Sequence, residues 1–284
     1  LKTNIDYGFE LEFFAADFKN KKVFNATKLI EKHNKLDYFK EFGPENFILT
    51  DPSVPNNHNL IHSPKFDIIS DGTVFEVVTL DTVYDFQDWL YGFGKIKNIF
   101  DQSIHYVGKL FDVACLTNAL LSKDQGWQFI DPGVVYSSNK MINNAYTGEW
   151  TWADKKEETE KNKEVSFRAA GFHIHIAFPE KVAPIIFKGQ YAPKLCNELV
   201  KQLDEIYDKY FPNNFSINEE LRNSLYATKG NYRLKYHNHG FHRDFTTLEY
   251  RQFSSEFMLL PEKLQKEILI EFDKVVQKFV KNIK

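Results

Sequence analysis

From Asn4 to Phe14 the chain alternates without a break. Ile5, Tyr7, Phe9, Leu11 and Phe13 share one side, and Asp6, Gly8, Glu10 and Glu12 share the other. Period two predicts a half-buried β-strand, and a strand of this kind is stable only within a sheet that has an apolar face to cover. Two later segments keep the same beat. In Phe167 to Phe178, Phe172, Ile174, Ile176 and Phe178 point one way, while Gly171, His173, His175 and Ala177 point the other. In Phe245 to Phe253, Thr247, Glu249, Arg251 and Phe253 fall on one face. Each segment therefore carries a polar pair two residues apart: Glu10-x-Glu12, His173-x-His175 and Glu249-x-Arg251. Side chains so spaced project from one surface about 7 Å apart.

Between these strands the periodicity changes. Ala26 to Phe42 reads as a helix ended by Gly43-Pro44, followed by an Asn- and Pro-rich loop from Thr50 to Pro64. Phe66 to Ser70 and Val74 to Thr79 flank Asp71-Gly72 and read as a hairpin. Helical spacing is expected over Asp85 to Phe100, Tyr106 to Leu121, Pro193 to Tyr210, Glu219 to Thr228, and from Pro261 onward. Gly126 to Ser166 has no sustained period and is expected to form a mobile insertion around 126–166. Strands separated by long excursions, without a regular βα repeat, imply an α+β class. The expectation is a largely antiparallel sheet with helices on its apolar face, in one domain spanning residues 1–284.

With 284 residues and 43% apolar side chains, a single sizeable core is expected. A formal net charge of −3 argues against a general nucleic-acid surface. Cys115 and Cys196 lie far apart, which excludes a disulfide scaffold and a cysteine zinc ribbon and suits a reducing compartment. No apolar run reaches membrane-spanning length and no signal-peptide pattern opens the chain, so a cytoplasmic location is expected. The 27 Phe and 14 Tyr residues hint at an AT-rich genome such as that of a phage or low-GC bacterium.

If the strands are neighbours, Glu10, Glu12, Glu76, Glu249, His173 and His175 line one sheet face. Clustered carboxylates repel one another and take up protons unless cations balance them. Oxygen-rich ligation with an occasional imidazole favours Mg²⁺ or Mn²⁺ over Zn²⁺. Arg233, Arg243 and Arg251, with Lys229 and Lys235 between, supply forks suited to phosphate or carboxylate. Carboxylates, a hard cation and arginines together are equipment for phosphoryl transfer from ATP.

The order Glu-x-Glu, Glu, His-x-His, spaced arginines and Glu-x-Arg resembles the glutamine synthetase and glutamate–cysteine ligase superfamily. It is most similar to the short phage and bacterial amidoligases (COOH–NH2 ligases). The matching stretches are Gly8-Phe9-Glu10-Leu11-Glu12-Phe13, Ala170-Gly171-Phe172-His173-Ile174-His175, and Tyr236 through Phe241-His242-Arg243 to Leu248-Glu249-Tyr250-Arg251. The resemblance implies a curved antiparallel sheet whose concave face holds ATP and one to three Mg²⁺ or Mn²⁺ ions. It implies that Glu10, His173 and Glu249 hold the ion at the transferred γ-phosphate. Glu12 and Glu76 would hold a second, His175 would touch the ATP phosphates, Arg243 would stabilise the phosphoryl group, and Arg251 or Arg233 would grip phosphate or carboxylate. The implied activity joins a small-molecule or peptide carboxylate to an amine through an acyl phosphate. The pattern departs in three places, the first being that His237, Asn238 and His239 precede Gly240 where a glycine- and proline-rich turn is expected after Tyr236. Asp71 is a poor substitute for a further glutamate at the second ion, and His242 precedes Arg243 where an aromatic residue is expected.

Two other readings stay open. His173 and His175 with His237, His239 or His242 would make a three-histidine zinc site with Glu249 as general base, and hence a hydrolase. A non-catalytic relic of the ligase fold that binds a nucleotide or peptide is the other. Oligomeric state is left open.

Overall fold

The computed structural model describes residues 5–33, 59–62, 66–79, 86–130, 141–152, 167–188, 190–214, 216–225, 228–239 and 242–283. The strands are β1 (Asp6–Asp17), β2 (Lys22–Phe24), β3 (Asn59–His62), β4 (Phe66–Asp71), β5 (Val74–Thr79), β6 (Ala114–Leu116), β7 (Leu120–Ser122), β8 (Gln128–Ile130), β9 (Met141–Asn144), β10 (Trp150–Trp152), β11 (Phe167–Ala169), β12 (Phe172–Ala177), β13 (Asn231–His239) and β14 (His242–Tyr250). The helices are α1 (Ala26–His33), α2 (Phe86–Phe111), α3 (Ala183–Phe187), α4 (Ala192–Tyr210), α5 (Ile217–Leu225) and α6 (Glu262–Asn282).

The fold is α+β, as the pattern predicts. Its main sheet runs in the order β10-β9-β13-β14-β12-β1-β5-β4-β3, with β2 and β6 paired to β1 and β8 paired to β2. Every pairing along that order is antiparallel, and β2 with β8 is a parallel exception. Register keeps side-chain parity constant across strands. Tyr232, Tyr250, Ile174 and Phe9 stand in one row across β13, β14, β12 and β1. The next row, facing the other way, is Arg233, Glu249, His175 and Gly8.

The apolar row belongs to the main core. Ile96, Phe100 and Val107 of α2, Cys196, Leu199 and Leu203 of α4, and Ile268, Phe272 and Val276 of α6 pack there with Tyr7, Phe9, Leu11 and Phe13. Burying each large apolar side chain stabilises the fold by about 1.5–3 kcal/mol, which is why these stripes dock on the sheet. A second, smaller core forms on the opposite side of β1. It gathers Phe14, Ala16, Val23, Val74, Leu121, Trp127 and Ala170. Trp127 is thus a packing residue.

Several elements differ from the sequence reading. Helix α2 continues through the expected gap after Phe100 and stops at Phe111, so of the helix expected over Tyr106–Leu121 the part up to Phe111 is helical and the rest is not. Asp112 takes a left-handed conformation (φ 51°), Val113 N–H donates to Gly108 O at 3.1 Å, and the chain turns into β6 beside β1. The β-favouring Val113, Cys115 and Leu116 gain more from the sheet than from another helical turn. Residues 126–166 contribute β8, β9 and β10 among the described residues, and β9 extends the main sheet next to β13. Part of the expected 50–64 loop is strand β3, paired with β4. Helix α1 is described to His33, so the rest of the predicted 26–42 helix lies outside the described residues. β13 has no counterpart in the sequence reading. Its Tyr232 faces the core, and Tyr232, Leu234 and Tyr236 alternate with Arg233, Lys235 and His237 at period two, a signal the sequence reading passed over.

One core-facing acid makes stability depend on pH. Asp204 on α4 is 1% exposed and accepts a hydrogen bond from Tyr250 Oη at 2.9 Å. Burial pushes its carboxyl up to about 6, against the opposing pull of the Tyr250 hydroxyl. A carboxyl raised on folding favours the protonated native state. Its contribution is complete below pH 4 and is lost as pH rises through 6. Asp204→Asn keeps an oxygen for Tyr250 and removes the titration. In denaturant melts, the wild type should lose on the order of 2 kcal/mol between pH 4 and 7 that the variant retains. Parallel pH profiles for the two proteins would exclude Asp204 as the source.

Candidate metal centre

The polar faces of β1, β12 and β14 meet as the alternation requires, with one difference. The sequence reading leaves one face of β1 solvated, whereas both faces are buried, and Glu10 and Glu12 are 8% and 7% exposed. Neighbouring strands and the second core close over that face. Acidic groups there are held out of water, which costs energy unless each charge is balanced.

Glu10 pairs with His173 across β1 and β12, and Glu249 pairs with His175 across β14 and β12. Glu10, His173 and Glu249 each present a ligand atom such that all three lie within 4.8 Å of one another, and all three residues are buried. His173 Nδ1 is 3.1 Å from Glu10 Oε2 and 3.5 Å from Glu249 Oε1. His175 Nε2 is 3.1 Å from Glu10 Oε1, and its Nδ1 is 3.2 Å from the Thr247 hydroxyl. The Arg251 guanidinium donates to Glu249 Oε1.

A second group of three adjoins the first. Glu12 stands directly opposite Glu76 across β1 and β5. With Asp71, the last residue of β4, they bring three carboxylate oxygens within 4.8 Å of one another. Asp71 is exposed while Glu12 and Glu76 are buried, so the group opens toward solvent at the hairpin turn. That turn depends on Gly72, whose φ of +60° a side chain would strain.

Burial, assisted by the Arg251 charge, drives the His173 imidazole down to about 3. The ring is therefore neutral at physiological pH and offers a lone pair. Burial and the nearby Asp71 raise Glu12 to about 7, although the Gly171 N–H donates to its Oε2 at 2.5 Å. Neutral imidazole beside crowded carboxylates is the donor chemistry that a hard divalent cation satisfies. Among the described residues, His173 Nε2 is buried without a hydrogen-bond partner and lies against Gly171, leaving Nδ1 turned to both carboxylates.

Arg233 shares the site face. It pairs with Glu249 across β13 and β14, is 8% exposed, and among the described residues its Nε has no hydrogen-bond partner. Arg243 lies on β14, six residues before Glu249, and only its backbone is described. Lys229 is turned elsewhere, paired with Asp208 of α4. His237 and His239 lie four and six residues along β13 from Arg233, opposite Phe245 and His242. Sequence reasoning underrated Asp71, because a turn residue carries no periodic signal. It also gave Thr247 no role, although it set that residue in phase with Glu249.

Comparison with family models, with curated proteins and with solved structures finds no match. Among the described residues, no helix is long and apolar enough to cross a membrane.

Proposed function

We propose that the protein is an ATP-dependent carboxylate–amine ligase of the amidoligase type, with a glutamine-synthetase-like sheet. The observation that carries this reading is the pair of adjoining three-donor groups on one buried sheet face, with arginines on the same face. A single carboxylate–imidazole group would suit many metalloproteins. Two groups side by side, rich in oxygen and flanked by guanidinium, suit a polyphosphate and its divalent cations.

In this reading Glu10, His173 and Glu249 would hold one divalent ion, at the transferred phosphoryl group, and Glu12, Glu76 and Asp71 would hold another. The cations supply charge neutralisation at the phosphates. The protein's own groups do the rest. His175, which Thr247 orients, would contact the phosphates. Arg233 is placed to take an anionic oxygen of phosphate or substrate carboxylate, and Arg243 serves the phosphoryl group in transfer. Arg251 is engaged with Glu249 and so acts mainly by holding that carboxylate. A carboxylate is a poor electrophile. Its oxygen attacks the γ-phosphorus, ADP leaves, and the acyl phosphate then loses phosphate to an incoming amine.

Hydroxylamine is a general substitute for the unknown amine. Incubating the protein with ATP, Mg²⁺, hydroxylamine and panels of amino acids, peptides and dicarboxylic acids should yield ADP and a hydroxamate in equal amounts for at least one acid. Stoichiometric zinc in the purified protein, with no ADP formed from any acid, would overturn the ligase reading in favour of a hydrolase.

A further inference from the structure

Helix α5 carries a guanidinium that the scheme above does not use. Arg222 is 0% exposed and heads the fully buried side chains by size. Its Nη1 donates to Gln252 O and its Nη2 to Arg251 O, both at 3.0 Å. One fork thus grips two successive carbonyls, where the chain has just left β14. On the other side of the same residue, the Arg251 side chain turns back onto Glu249.

We infer that Arg222 is a positioning residue: by clamping the Arg251–Gln252 peptide it sets the Arg251 guanidinium against Glu249, and so fixes the carboxylate of the first metal group. The catalytic consequence rests on the ligase reading; the positional one rests on geometry alone.

Three features separate this role from simple packing. Desolvating a guanidinium is costly, and neutral donors would serve two carbonyls at less cost. The planar fork, however, holds both carbonyls at a fixed spacing, which a lysine ammonium does not reproduce. The clamped segment is also stitched to the start of β12. Phe172 N–H donates to Phe253 O at 3.0 Å, Ser255 N–H donates to Ala170 O at 3.2 Å, and Gly171 bridges to Ser254. A shift at Arg251–Gln252 therefore reaches His173 as well as Glu249. Helix α5 is itself anchored. Ser216 donates to Glu256 Oε2 at 2.5 Å and accepts from the Glu219 N–H at 3.1 Å, and Glu256 Oε1 accepts from Ala119 N–H at 2.9 Å.

The test is Arg222→Lys, read in three ways. A crystal structure of the variant should show Arg251 withdrawn from Glu249. Mn²⁺ affinity, followed by electron paramagnetic resonance, should fall about 10-fold. In the hydroxamate assay kcat should fall on the order of 30-fold with KM for ATP changed little, the signature of misplacement rather than lost binding. On an Arg251→Met background Arg222→Lys should add almost nothing, because the residue through which it acts is gone. Arg251 still seated on Glu249 in the variant crystal, or additive effects in the cycle, would overturn the inference. If the wild type forms no hydroxamate and binds no Mn²⁺, the ligase reading fails and the crystal comparison alone decides the clamp. Should Arg222→Lys not fold, Arg222→Gln takes its place. Arg251 guanidinium protons exchanging at the free rate in the wild-type protein would overturn the clamp without any variant.

Discussion

Glu249→Gln should leave a folded protein that has lost both tight divalent-cation binding and turnover. Glu249 is 0% exposed, lies in the three-donor group with Glu10 and His173, and accepts from Arg251. Glutamine keeps the volume and one oxygen for Arg251, so the packing of β14 on β12 is preserved. What goes is the negative charge. Two effects on stability oppose each other: less repulsion among the buried carboxylates, and a buried Arg251 with no counter-charge at this position. Their partial cancellation keeps the thermal midpoint in EDTA within a few degrees of wild type. Ligation has no such compensation, since an amide oxygen is a much weaker donor to a hard cation than a carboxylate. Mn²⁺ affinity should drop about 100-fold or more, beyond the 10- to 100-fold typical for outer-sphere partners. ADP release should fall below detection. An isothermal titration showing wild-type Mn²⁺ affinity in Glu249→Gln would remove Glu249 from the ligand set.

How much of this was legible in the chain follows from what each signal encodes. The alternation of β1 and β12 was plain, because period two survives wherever a strand keeps one apolar face. It placed Glu10, Glu12, His173 and His175 on the side away from Tyr7, Phe9, Ile174 and Ile176, as the register has it. The α+β class followed from the same pattern. Alternation says nothing, however, about which strand lies beside which. The convergence of Glu10, His173 and Glu249 needed β12 to sit between β1 and β14, a long-range fact. The same limit applies to Asp71, which reaches Glu12 and Glu76 from a hairpin turn. β13 was legible and missed: Tyr232 and Leu234 alternate with Arg233 and Lys235 at period two, and Arg233 shares the site face. The helix expected over Tyr106–Leu121 failed at Asp112, where the pull of an open β1 edge outweighs local spacing. Burial of the acidic face was the least legible feature. A Glu-x-Glu strand reads as wet unless the second core packed on the same side is known.

Gly171→Ala should be as damaging as removing a ligand, although Gly171 offers no ligand atom. A Cβ built on Gly171 would stand 2.2 Å from His173 Nε2 and 2.9 Å from the two adjoining ring carbons. No real contact is that short, and the imidazole cannot simply swing aside. It is 2% exposed, with Glu10 and Glu249 on its far side. Either the ring turns and takes Nδ1 away from both carboxylates, or the backbone at the start of β12 moves. The second escape disturbs the other group, because Gly171 N–H donates to Glu12 Oε2 and Gly171 O accepts from Glu12 N–H at 3.0 Å. Overpacking of this kind costs about 1–3 kcal/mol of stability. Mn²⁺ affinity should fall on the order of 100-fold, given that a ligand misplaced by about 1 Å no longer closes the group. The clash has one owner, which makes it separable from a general loss of backbone freedom. In a His173→Ala protein the added methyl meets open space, so Gly171→Ala should then cost less than half of what it costs in the wild type. Equal costs in the two backgrounds would mean that the glycine serves the strand itself, and that His173 is not held in place by the absence of a side chain beneath it.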